Sequence, residues 1–143
     1  MIQYTQEDIE LAAQWCLDAH KCQVDKAGNP YFMHPFAVMQ SCTEPAEKIV
    51  ALLHDVLEDS EVISPLDILN QFGQEVFDGV VAMTRGKGES YRDFIKRVSQ
   101  NPIAKEVKKS DICHNLQDRG FRIPDSLRKR YMDALSFLTG STF

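Results

Sequence analysis

His54, Asp55, Glu58 and Asp59 fall within six consecutive positions of the stretch ALLHDVLEDS, whose other residues are mostly apolar. Burying ionisable groups is costly unless they are paired or bound to a metal, so an apolar helix carrying this many of them calls for chemistry. On a helix, side chains four apart lie nearly in line and neighbours diverge by about 100°. One continuous helix would therefore place His54 and Glu58 in one row and Asp55 and Asp59 in the adjacent row. An imidazole and a carboxylate at the edge of such a helix can converge on one cation, with two more carboxylates one turn later to hold water beside it.

A cation needs further donors. His34 lies in a loop punctuated by Gly28, Pro30 and Pro35, and Asp111 lies in the amphipathic run VKKSDICHN. His34, His54, Asp55 and Asp111 together make a mixed nitrogen and oxygen set. That set suits manganese, iron or zinc and, lacking thiolates, differs from a structural zinc site. It leaves positions open for water or substrate, as catalysis requires. His20 and His114 are the remaining histidines. His114 follows Asp111 by three, within reach of the metal in principle, and reads rather as a satisfied structural residue; with so few spare histidines a single metal ion is expected.

The elements that must position these residues are helical. Val, Ile and Thr are sparse, and strand-like alternation is nearly absent. Thr5 reads as an N-cap ahead of acidic first-turn residues, opening a helix that runs to about Lys21. A loop follows, and Pro35 suits the first position of the next helix. A third helix is expected from Glu44 or Pro45 through Asp59. A fourth opens at Ser64-Pro65, a fifth follows Gly73, and the polar glycine loop RGKGES carries Arg85 and Lys87. Two more helices split at Asn101-Pro102, and Pro124 starts the last. The expectation is one all-α domain over residues 1–143, a compact bundle of about seven or eight helices.

At 143 residues the chain has the length of one ordinary domain. Its net charge of −5 argues against a general nucleic-acid binder. The N-terminal MIQYTQEDIE has no apolar stretch of the signal-peptide kind, and no run approaches membrane-spanning length. The four cysteines lack CxxC spacing. Cys16, Cys42 and Cys113 fall in apparently helical stretches, which fits reduced, partly buried thiols in a cytoplasmic protein.

In order and approximate spacing, His34, the pair His54-Asp55 and Asp111 match the H…HD…D metal signature of the HD-domain phosphohydrolases. The stretches KAGNPYFMHP, ALLHDVLEDS and VKKSDICHN resemble the hydrolase domain of the Rel/Spo alarmone enzymes and their small stand-alone relatives, from about Asp18 to Leu138. The resemblance implies manganese-dependent removal of the 3′-pyrophosphate of guanosine tetra- or pentaphosphate. It implies His34, His54, Asp55 and Asp111 as metal ligands, with Glu58 and Asp59 positioning water and moving protons. Lys26 matches a residue that contacts substrate phosphates, Asn115 one near the nucleotide sugar, and Tyr131 a tyrosine over the substrate. The length leaves no room for the synthetase domain of the long enzymes, so hydrolysis alone is expected.

Asp25 departs from the family's Arg-Lys pair at positions 25 and 26 and places an acid where a pyrophosphate would bind. Two alternatives therefore stay open: a phosphohydrolase for another nucleotide, such as a nucleoside triphosphate or the 2′-phosphate of a nicotinamide cofactor, and a non-catalytic nucleotide sensor. In each case the expected partner is a phosphorylated small molecule. A homo-oligomer is compatible with the sequence.

Overall fold

The computed structural model describes residues 3–143. Nine helices run through them: α1 Gln6–Ala19, α2 Met33–Gln40, α3 Pro45–Leu53, α4 Val56–Asp59, α5 Pro65–Phe72, α6 Gln74–Met83, α7 Tyr91–Val98, α8 Pro102–Leu116 and α9 Asp125–Leu138. The described residues form no strand. Their one β-type pairing is an isolated bridge between Val24 and Pro30. The all-α expectation holds.

Local chemistry sets many of the helix starts. Thr5 and Asp8 form a capping box on α1, and Ser64 and Asp67 another on α5. Each box satisfies amide groups that a helix N-terminus otherwise leaves without partners. Ser90 caps α7 and Asn101 caps α8 by accepting from the third residue onward. Gly73, at φ 88°, lets one residue end α5 and begin α6.

α3 is the hub, packed by α1, α2, α6 and α8. Ile49, Val50, Ala51, Leu52 and Leu53 are all fully buried. A helix stretch apolar on every side belongs to the core, and each of its Ile, Val and Leu side chains contributes about 1.5–3 kcal/mol by leaving water. α6 approaches α3 at Gly79, where a Cβ would sit 2.9 Å from Val50 Cγ2. Anything larger than glycine there would push the two helices apart.

The third expected helix is broken. α3 ends at Leu53 and α4 starts at Val56, with His54 as the C-cap of one and Asp55 as the N-cap of the other. Asp55 sits at φ −102°, ψ −2°, in the sparsely used bridge region where many active-site residues are found. This break raises the helix count above the expected seven or eight. α2 likewise begins two residues before Pro35, with Phe32 as N-cap, so His34 belongs to its first turn. Cys42 lies just past the end of α2 rather than within a helix. Cys16 and Cys42 are buried, Cys22 and Cys113 are exposed, and all four are free.

Candidate metal centre and its cavity

α3 brings His54 to the centre of the domain, and the break after it decides the geometry. On a continuous helix the side chains of His54 and Asp55 would diverge. The break turns them together, so that His54 Nε2 lies 3.1 Å from Asp55 Oδ2. His54 Nδ1–H donates to the Ala51 carbonyl at 2.5 Å. That bond fixes the ring and leaves Nε2 facing inward.

α2 and α8 supply the rest. His34 Nε2 is 2.7 Å from Asp111 Oδ1, and His54 Nε2 is 3.6 Å from the same oxygen. One donor atom from each of these three buried residues lies within 4.8 Å of the other two. Two imidazoles and a carboxylate, buried and converging, are the donors a hard or borderline divalent cation takes. Asp55 stands beside them, its Oδ2 accepting from the Tyr31 hydroxyl at 2.5 Å. The residues present therefore fit a divalent metal.

Electrostatics keeps the acids ionised. Burial alone would raise the Asp111 carboxyl, but Lys108, His34 and His54 outweigh it and hold the group well below the usual range. Burial likewise opposes ionisation of Asp55, and His54 reverses it. Lys108 Nζ sits 3.0 Å from Asp111 Oδ2 and 5.1 Å from the centroid of the Phe94 ring. Glu58 behaves differently. Partial desolvation, followed by Asp55 and Asp59, raises it above the ordinary glutamate value. A carboxyl pushed towards neutrality beside a metal site is suited to exchange protons.

These groups line one cavity of about 310 Å³. His34, His54, Asp55 and Asp111 line it together with Glu58, Asn115 and Tyr131, and Arg85, Lys108 and Arg119 bring positive charge. Asn115 reaches Asp111 Oδ1 at 3.5 Å and accepts from Arg119 at 2.8 Å.

No family model matches the chain. It is 32% identical over 123 residues to the guanosine-3′,5′-bis(diphosphate) 3′-pyrophosphohydrolase of Aquifex aeolicus, covering 78% of this chain and 18% of that protein. The protein of the same name from Vibrio cholerae is 31% identical over 127 residues, covering 78% of this chain and 18% of the relative. The GTP pyrophosphokinase of Streptomyces coelicolor is 29% identical over 144 residues, covering 92% and 17%. A solved structure described as "A metazoan ortholog of SpoT hydrolyzes ppGpp and plays a role in starvation responses" shares the fold. It gives a TM-score of 0.77 over 97% of this chain and 89% of that one, at 23% identity. The chain is similar in sequence to these proteins over most of its own length. It spans under a fifth of the length of these curated relatives.

Two residues expected in a Rel/Spo-type site stand outside the cavity lining. Lys26 is exposed on the loop before α2. Asp59 turns towards α1, where its Oδ2 accepts from Gln23 at 3.3 Å and lies 3.4 Å from His20 Nδ1. Asp25 also differs from its expected part. Its Oδ1 accepts from the amides of Ala27 and Asn29, and its Oδ2 lies 3.7 Å from Arg119. It is a turn-forming residue paired with a cation, not a free acid facing the cavity. Tyr31, Lys108 and Arg119 are lining residues that the motifs alone do not single out. Lys108 was within reach of a periodicity argument, since it precedes Asp111 by three and shares its helix face.

No helix is long and apolar enough to cross a membrane among the described residues.

Proposed function

We propose that this chain is a metal-dependent hydrolase that removes the 3′-pyrophosphate of guanosine tetraphosphate, leaving a guanosine 5′-diphosphate and pyrophosphate. The observation that carries the reading is the convergence of His34, His54 and Asp111 beside Asp55, in a cavity to which Arg85, Lys108 and Arg119 contribute cations. The relatives from Aquifex aeolicus and Vibrio cholerae bear the name of this activity.

In this reading His34, His54, Asp55 and Asp111 hold one divalent ion, manganese being the preferred one. Such an ion supplies Lewis acidity and a water of lowered pKa. The chain's own residues do the rest. Arg119, Arg85 and Lys108 neutralise the pyrophosphate oxygens. Water forms its new bond to the phosphorus next to the ribose, and the bond from that phosphorus to O3′ breaks. Glu58 takes the proton shed by the water and passes it to O3′ as that oxygen leaves. Asn115, held by Arg119, and Tyr131 on α9 orient the sugar side. Asp25 is engaged by two amides and Arg119, which removes the ground for preferring a different nucleotide.

The test is release of phosphate and pyrophosphate, with manganese added, across a panel of nucleotides. The panel contains guanosine tetraphosphate, nucleoside triphosphates and a 2′-phosphorylated nicotinamide cofactor, with H54A as control. Pyrophosphate from guanosine tetraphosphate alone, abolished in H54A, is the expected result. Turnover of another member instead would overturn the substrate. Metal binding with no turnover of any member would overturn catalysis in favour of a nucleotide sensor.

A further inference from the structure

His114 is the one histidine beside the metal centre to which the proposed chemistry gives no task. It follows Asp111 by three residues on α8, and its Nδ1 lies 2.7 Å from Nδ1 of His34. The two rings are inclined by only 23°, with centroids 4.9 Å apart. With the nitrogens so much closer than the centroids, the rings meet edge to edge.

A neutral imidazole carries one ring proton, and a cation takes the nitrogen that lacks it. His34 turns Nε2 towards Asp111 and Nδ1 towards His114. Metal binding through Nε2 therefore requires the proton on Nδ1, where it needs an acceptor. A buried N–H without one is penalised. For His54 that acceptor is the backbone carbonyl of Ala51. For His34 it is a side chain.

We propose that His114 is a positioning residue for His34. Its Nδ1 accepts from His34 Nδ1–H and so fixes Nε2 as the nitrogen presented to the cation. This rests on the metal-site reading above. His114 itself then carries its proton on Nε2 and stays outside the coordination sphere. α8 thus supplies both a metal ligand, Asp111, and the group that orients a second ligand from α2.

The experiment is manganese titration of wild type, H114L, H114N and H54A by calorimetry, with thermal unfolding of each protein without metal. A histidine-selective ¹⁵N NMR spectrum of the zinc-loaded wild type and H114L accompanies it. Losing a partner of this kind typically weakens metal affinity by about 10–100-fold, and that is the expected result for H114L. H114N places an amide oxygen where Nδ1 was, and it should recover affinity to within roughly threefold of wild type, a free-energy gap of under about 0.7 kcal/mol. The wild-type spectrum should show His34 protonated on Nδ1, and that signal should broaden or vanish in H114L. Wild-type affinity in H114L, with binding lost in H54A, would overturn the role of His114 alone. Equal weakening in H114L and H114N, in step with equal loss of thermal stability, would reduce His114 to packing and also overturn it. Undiminished binding in H54A would instead overturn the metal site.

Discussion

Arg97 and Lys108 are cations on neighbouring helices, and they are satisfied in opposite ways. Every nitrogen of the Arg97 guanidinium donates. Nε and Nη2 grip the Glu89 carboxylate at 2.9 Å each, Nη2 also reaches the Thr84 carbonyl at 2.8 Å, and Nη1 reaches those of Val81 and Ala82 at 3.3 and 3.4 Å. Nothing is left over, and the result is a clamp that ties the glycine loop 84–90 to α6 and α7. Lys108 meets Asp111, whose other oxygen faces two imidazoles, and all of them border open space. A cluster that closes on itself is scaffolding. One that gathers imidazoles and a carboxylate at the edge of a cavity is arranged for a ligand.

Three substitutions and one labelling experiment sharpen or break this contrast, in descending order of expected effect. H54A should cost more than about 100-fold in manganese affinity, beyond what a supporting partner costs, with α-helical circular dichroism retained. K108M takes the cation from Asp111 Oδ2 while His34 and His54 still face Oδ1, and breaking a buried pair typically costs up to about 3–5 kcal/mol. Urea unfolding should show a loss of that order without metal and a smaller one with manganese present, because the ion supplies a replacement charge. If manganese gave no relief, Asp111 would not be facing it.

R97A should cost stability alone, about 1–2 kcal/mol once solvent exposure is allowed for, and leave manganese affinity unchanged. Its pH dependence has a definite sign. Hydrogen bonds from Arg97 and from the Gly86 amide lower the Glu89 carboxyl from 4.5 to about 2. A carboxyl depressed on folding stabilises fully above its unfolded value and loses that effect as pH falls through the folded one. The stability gap between wild type and R97A should therefore be constant above pH 5 and narrow as pH falls from there towards 2, the part that remains coming from the bonds to the backbone carbonyls. The smallest effect concerns thiols. Burial, then Asp55, pushes Cys16 up to about 12, and burial, then Glu47, pushes Cys42 up to about 11. At neutral pH a thiol reagent should label exposed Cys22 and Cys113 quickly and the buried pair only on unfolding.

The sequence exposes some of this arrangement and conceals the rest for physical reasons. Caps such as Thr5, Ser64 and Asn101 can be read because they act on amides within three residues. The apolar surroundings of His54 mark α3 as a core helix for an equally local reason. The break at His54-Asp55 could not be read. ALLHDVLEDS contains no glycine or proline, and the partner of the Asp55 side chain is Tyr31, far away in sequence. Rare residue types made His34 and Asp111 visible as candidate ligands. Lys26 and Lys108 show the opposite problem. A lysine is ordinarily solvated, and only the tertiary fold puts one on an exposed loop and the other against a buried carboxylate. The turn around Asp25 conceals in the same way how completely its carboxylate is engaged.

The lining of the cavity also dictates an order of arrival. Arg85, Lys108 and Arg119 face Asp55, Glu58 and Asp111, three cations against three carboxylates, in a chain whose overall charge is −5. Under the proposed function, a polyanionic nucleotide meets repulsion from the chain as a whole and is drawn in more strongly once a dication has joined these cations. A small dication meets no such barrier, and once seated it tips the local balance by two charges. Under the function proposed above, such a pocket is expected to take its metal before its nucleotide.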